Sequence, residues 1–268
     1  MTGLHVVERG TEGPTILLIH GSAADADAFT IPLALLSGGA RGGRPHRVVA
    51  YDRRGTSRSP QGDSPPSLAS HAADSAGLIE RLQLAPCLAI GSSFGAVVAL
   101  ELARRRPELL RGVVLAEPPL AASDSEPRVP DGFWETFDAR QHESGSEAAA
   151  EHFLRTVLGD AFDRLSETHK ARALSHGIAI RNDARALEAY SPRYDTLSSL
   201  GVPVMLLGGD RSPEYFRRTL DALERALGRW CVLRMSLSAG HMMYAEAARA
   251  FREAILVFES ALGAREIE

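Results

Sequence analysis

The chain has 268 residues, 44% hydrophobic and 24% charged, with a formal net charge of −4. Acids and bases are interspersed, which argues against a nucleic-acid-binding surface and a polybasic membrane patch. The apolar fraction is that of an ordinary globular protein and suffices for a sizeable core.

The N-terminal stretch MTGLHVVERGTEGP lacks a basic start followed by an apolar run, so no signal peptide is expected. Nor does the chain contain the run of about eighteen apolar residues that a membrane span needs. A cytoplasmic location is expected. Strands are expected at LHVVE (4–8), TILLIH (15–20), HRVVAYD (46–52), CLAIGS (87–92), GVVLAE (112–117), PVMLLGG (203–209) and CVLRMS (231–236). These are continuous apolar runs rather than strict alternations, the mark of strands covered on both faces. Helical patterns fall at about 70–84, 93–106, 214–228 and 243–262, the last with Ala248, Phe251, Ile255, Phe258 and Leu262 on one face. Strands alternating with helices predict an α/β fold built on a mostly parallel sheet. The glycine-rich stretch SGGARGGRP (37–45) reads as a flexible surface loop. From 120 to 198 the rhythm breaks. A polar loop, AASDSEPRVPDG, leads into helical patterns around 131–143, 146–158, 160–175 and 182–190, with no strand signal. Residues 1–119 and 199–268 are therefore expected to form the core, and 120–198 a helical cap over one edge of the sheet. Cys87 and Cys231 each fall in a strand expected to be buried and read as free structural thiols.

Chemistry concentrates in AIGSSFGAVVALELARR (89–105). Gly91-Ser92-Ser93-Phe94-Gly95 is a Gly-x-Ser-x-Gly pattern after a strand and before a helix. In that context the middle serine adopts a strained positive-φ turn that lifts its hydroxyl clear of the sheet. Positions two residues either side pass too close to other backbone for a side chain. Ser93 is the candidate nucleophile. A serine hydroxyl needs a base to take its proton. His241, in SAGHMMYAEA after the last strand, stands where the chain order nucleophile–acid–base requires one. Among the other histidines, His20 borders the HG turn, and His152, His169 and His176 lie in the helical stretch. An oxyanion needs two convergent backbone N–H groups. Phe94 is expected to supply one, and the turn HGSAAD the other, from Ser22, with Ala23 its neighbour as the alternative.

These residues resemble the α/β-hydrolase superfamily along nearly the whole chain: LLIHGS, VVAYDRRGTSRSP, AIGSSFGAVVALELA, VPVMLLGGD and AGHMMYAEA. The resemblance implies a mostly parallel sheet of seven or eight strands, helices on both faces and a helical cap. Only one strand candidate precedes TILLIH, where the superfamily usually has a hairpin. Two carboxylates compete to orient His241. Much of the superfamily carries its acid in a G-x-x-D-P pattern. Here that region reads Gly209-Asp210-Arg211-Ser212-Pro213, with serine at the expected position and Asp210 two residues early. The alternative is Glu117 in VVLAEPPL, which is similar to fungal resorcylic-lactone lactonases at this point. Glu117 is favoured, because the acid's role is geometric and glutamate reaches one methylene farther.

The resemblance implies a serine hydrolase acting on a small-molecule carboxylic ester or lactone through an acyl-enzyme. Thioesterase and carbon–carbon bond hydrolase chemistry use the same triad, and a non-hydrolytic ligand receptor or biosynthetic accessory protein uses the same fold. A serine rather than an aspartate at the elbow argues against haloalkane dehalogenase and epoxide hydrolase chemistry. Asp52, Arg53 and Arg54 are expected to order their own turn. Phe133, Trp134 and Phe137 are expected to line a pocket or pack the cap, and Met242 and Met243 to form a soft wall. The sequence carries no metal-binding or nucleotide-binding motif, so no cofactor is expected. A homo-oligomer is compatible with the sequence, which specifies none.

Overall fold

The computed structural model describes residues 3–38, 45–63, 66–122 and 131–265. Two expected loops, 37–45 and 121–132, fall largely outside them. Seven strands form one sheet among the described residues: β1 (Val6–Arg9), β2 (Thr15–Ile19), β3 (Arg47–Tyr51), β4 (Cys87–Ser92), β5 (Leu110–Ala116), β6 (Val204–Gly209) and β7 (Cys231–Leu237). Their spatial order is β1-β3-β2-β4-β5-β6-β7. All pairings are parallel except β1 with β3, where Val6 lies opposite Tyr51.

Alternate residues of each central strand feed two separate cores, which is why the strands read as unbroken apolar runs. One face sends Leu17, Ile19, Val49, Ala89, Val113 and Leu115 against α2 (Leu68–Arg81), α3 (Phe94–Arg105) and α8 (Glu214–Leu227). The other sends Ile16, Leu18, Val48, Ile90, Val114 and Met205 against α1 (Thr30–Ser37) and α10 (Ala248–Arg265). Of the face expected on α10, Phe251, Ile255, Phe258 and Leu262 are buried and Ala248 is only partly covered. Helix α2 starts where Ser67 caps it, its side chain accepting from the Ser70 amide while Ser70 reaches back. Helix α1, absent from the sequence reading, is only eight residues long and carries Pro32 in its first turn.

Between β5 and β6 the described residues form no strand. They form α4 (Phe133–Ser144), α5 (Ser146–Leu158), α6 (Glu167–Leu174) and α7 (Gly177–Glu188). The pattern expected over 160–175 splits into a short turn at Gly159–Ala161 and the helix α6. Helix α7 begins five residues earlier than expected. Gly177 looks like a helix breaker in sequence, yet it sits in the first turn because α5 passes close: a Cβ there would lie 2.2 Å from the Ser146 carbonyl oxygen. Phe137, Ala149, Ala150, Leu154, Phe162 and Ile180 form a third core, which also takes in Ala23 from the loop after β2.

The two cysteines differ. Cys87 lies in the central β4, and burial pushes its thiol up to about 12. Cys231 is only half-buried, contrary to expectation, because β7 is the edge strand; burial pushes its thiol up to about 11. No helix among the described residues is long and apolar enough to cross a membrane.

Candidate active site

Ser93 stands on the turn from β4 into α3 with φ 53° and ψ −123°, a conformation costly for a non-glycine residue. Its N–H donates to the Ala116 carbonyl at 2.8 Å, tying the turn to β5. The flanking glycines are there for space. A Cβ on Gly91 would lie 2.2 Å from the Gly95 carbonyl oxygen, and one on Gly95 would lie 2.1 Å from that of Ile19. Gly21 presses on the serine itself: a Cβ there would sit 2.9 Å from Ser93 Cβ. The HG turn after β2 thus packs directly on the elbow. Phe94 opens α3, where the helix N-terminus leaves backbone N–H groups without helical partners and adds positive potential.

Glu117 follows the last residue of β5 and is also held at positive φ, 47°. Its carboxylate is buried and twice engaged. Oε1 accepts from the Gly209 N–H at the end of β6 at 2.7 Å, and Oε2 accepts from Nδ1–H of His241 at 2.6 Å. A carboxylate only accepts, so the proton sits on Nδ1 and the lone pair of the neutral ring on Nε2. His241 lies between β7 and α9 (Met243–Glu246), its side chain 8% exposed. Phe216 of α8 stacks on its face, with ring centroids 4.4 Å apart and planes 16° from parallel.

Asp210 is not drawn into this arrangement. It is half-exposed, accepts from the Ala239 N–H at 3.1 Å and faces the Arg211 guanidinium at 3.7 Å. Ser212, at the position where the resemblance expects an acid, has its hydroxyl covered and without a hydrogen-bond partner. Met243 is fully buried, whereas Met242 packs at the margin of the core. Phe133, Trp134 and Phe137 pack on one another within the helices after β5.

The turn residues divide their work. Asp52 accepts from the N–H groups of Ala26 and Arg58, ordering the loops as expected, and Arg54 forms a bidentate pair with Asp74 of α2. Arg53 reaches farther. It is fully buried and pairs with Asp183 of α7, NH1 donating to Oδ1 at 2.9 Å and NH2 to Oδ2 at 2.7 Å. Asp183 also accepts from the Ser22 hydroxyl at 2.7 Å. Burial foremost, then the Arg53 charge, holds His20 and His71 well below the ordinary histidine value. His20 is fixed as the Nδ1–H tautomer. That proton goes to the Gly21 carbonyl at 2.8 Å, while Nε2 accepts from the Arg53 N–H at 2.9 Å.

Phe216 and Asp183 are the residues that reading the sequence missed. Asp183 did leave a signal. Ile180, Asp183, Ala184 and Leu187 fall on one helical stripe, where a carboxylate must be buried and so must find a partner. Among the described residues no group of three or more His, Cys, Asp or Glu side chains is arranged to hold a metal ion.

The described fold superposes on known ones. It is similar to the enol-lactonase from Burkholderia xenovorans LB400, with a TM-score of 0.75 at 22% identity over 96% of both chains. It is also similar to a thermophilic esterase from Thermogutta terrifontis, with a TM-score of 0.77 at 21% identity over 97% of this chain and 93% of that one. In sequence, 117 residues are 36% identical to the uncharacterized hydrolase YraK of Bacillus subtilis, a match spanning 43% of this chain and 41% of that protein. Residues 16–254 match the model of the alpha/beta hydrolase family, and with that extent of agreement the chain belongs to this family.

Proposed function

We propose that the protein is a serine hydrolase that cleaves a small-molecule carboxylic ester or lactone, with the helices between β5 and β6 acting as its cap. The observation that carries the reading is the 2.6 Å hydrogen bond from His241 Nδ1 to Glu117, which leaves Nε2 as a base, in a chain whose Ser93 is strained onto an elbow. The names of the enol-lactonase and esterase neighbours support an ester or lactone as the substrate class. In the proposed cycle His241 Nε2 takes the proton of Ser93 as the hydroxyl attacks the carbonyl carbon. The N–H groups of Phe94 and Ser22 hold the developing oxyanion. The C–O bond breaks, and His241 delivers the proton to the departing alkoxide; in a lactone that alcohol stays tethered to the acyl group. A water then gives its proton to His241 and attacks the acyl-enzyme, releasing the acid and restoring Ser93. Glu117 keeps the ring in its tautomer and stabilises the imidazolium, and Asp210 stands outside the triad.

The test is a panel of nitrophenyl esters and lactones with wild type and Ser93→Ala, alongside labelling by a fluorophosphonate probe. The expected result is labelling of wild type alone and loss of turnover in the variant. A Ser93→Ala protein with the wild-type rate would overturn the reading.

A further inference from the structure

The Arg53 guanidinium has five N–H donors and faces acceptors all round. Besides its two bonds to Asp183, Nε donates to the His20 carbonyl at 3.1 Å and NH2 to the Gly21 carbonyl at 3.2 Å. NH1 lies 3.4 Å from His71 Nε2. The guanidinium carbon sits 4.4 Å from the centroid of the Phe94 ring. One buried cation thus touches both residues whose amides are proposed to hold the oxyanion, or the residue directly before. Its counter-ion Asp183 belongs to α7 and grips the Ser22 hydroxyl.

The peptide plane turns these contacts into an orientation. The Gly21 carbonyl and the Ser22 N–H belong to one planar trans unit and point in opposite directions. Arg53 and the His20 Nδ1–H both donate to that carbonyl, so together they fix where the Ser22 N–H points. We infer that Arg53 and Asp183 form a clamp that makes the aim of the Ser22 amide depend on the docking of α7, so that both are positioning residues for the oxyanion site. This rests on the proposed hydrolase reading for its catalytic meaning, but not for its geometry. A buried ion pair is a poor device for stability alone, since apolar residues of similar size commonly do as well. A pair wired into the carbonyls before Ser22 does something that apolar residues cannot.

That contrast supplies the test. Arg53→Met/Asp183→Leu removes both charges and leaves neither buried unpaired. Its melting temperature and circular dichroism establish folding, and Arg53→Gln/Asp183→Asn, which also leaves no buried charge, serves for the same readouts if that double variant does not fold. Clamping predicts a kcat on a nitrophenyl ester lowered about 10- to 100-fold with KM within about threefold, the pattern of a weakened oxyanion donor. It also predicts faster amide hydrogen exchange over residues 20–24 and unchanged exchange in β4 and β5. A folded variant with wild-type kcat, or with unchanged exchange over 20–24, overturns the clamp. If wild type neither reacts with the fluorophosphonate nor turns over esters, the hydrolase reading fails by itself, and the exchange measurement still decides the clamp.

Discussion

His241 Nδ1 and Glu117 Oε2 meet at 2.6 Å although 124 positions separate the two residues in the chain. The sheet brings them together. Glu117 follows β5, His241 follows β7, and β6 lies between them. Two strand spacings amount to about 10 Å, a gap that suits the longer acidic side chain. Fixing the Oε1 oxygen on the Gly209 amide aims the other at the ring. Glu117→Gln should therefore lower kcat by on the order of 10⁴-fold with little change in KM, the loss that follows from removing the orienting acid in serine proteases. Asp210→Asn, at a half-exposed position, should stay within about twofold of wild type. Steady-state kinetics on one activated ester decides between them; equal losses would sink the assignment of Glu117.

Phe216 pins the imidazole from its face, while Glu117 pins it from its edge. A stack of this kind is worth about 0.5–1.5 kcal/mol, so Phe216→Leu should reduce kcat about 2- to 12-fold while the protein still folds. Phe216→Tyr should recover most of the loss. Wild-type kcat in the leucine variant would leave the stack without a catalytic role.

Glycine substitutions should have opposite signs according to what surrounds them. A Cβ on Gly95 would meet two backbone oxygens, of Ile19 at 2.1 Å and His20 at 2.6 Å. Gly95→Ala should cost at least the ~1–3 kcal/mol of an overpacked core and move Ser93, so fluorophosphonate labelling should disappear with it. Gly77 lies exposed within α2 with nothing within 4 Å of its added Cβ. Gly77→Ala should stabilise by about 0.5–1 kcal/mol. Urea unfolding of the two variants checks both signs.

Stability should also fall in mild acid through the buried histidines. His20 and His71 sit far below their ordinary value of 6.5, because burial and then Arg53 oppose the charged rings. In the unfolded chain both titrate normally, so below that value the unfolded state binds the extra protons. Stability is therefore complete above pH 6.5 and declines beneath it, by about 1.4 kcal/mol per pH unit for each histidine. Urea midpoints at about pH 7.5 and about pH 5.5 measure the decline. His71→Leu should lessen the slope by the share of one histidine; an unchanged slope would remove His71 from the account.

Much of this was legible in the chain because the information was local. Apolar runs between turn signals marked all seven strands, and two glycines around Ser93 marked a bend that only a close backbone explains. The same runs placed Ser93, Glu117 and His241 after the ends of β4, β5 and β7, while leaving Asp210 after β6 as a rival acid. What escaped depends on which way a helix faces. Phe216 is one apolar residue among several on α8, and only packing turns it towards His241. Arg53 was expected to order its own turn; its neighbour Asp52 is buried but engaged by Ala26 and Arg58, and the partner that Arg53 takes, Asp183, lies 130 positions away. The half-burial of Cys231 was missed because an apolar run does not say whether its strand lies inside a sheet or at the edge.

The chain leaves the sheet after β5 and re-enters at β6, and those two strands are hydrogen-bonded neighbours, Val113 beside Val204 through Ala116 beside Leu207. To the sheet, everything in between is a detour whose two ends already touch. Lengthening such a detour costs only about 0.6 kcal/mol for each doubling. A foreign helical segment could be grafted at this seam without shifting the register of any strand. With these helices as the proposed cap, the graft would change which molecules reach Ser93, and it would have to bring its own counterpart to Asp183 if the Ser22 amide is to keep its aim.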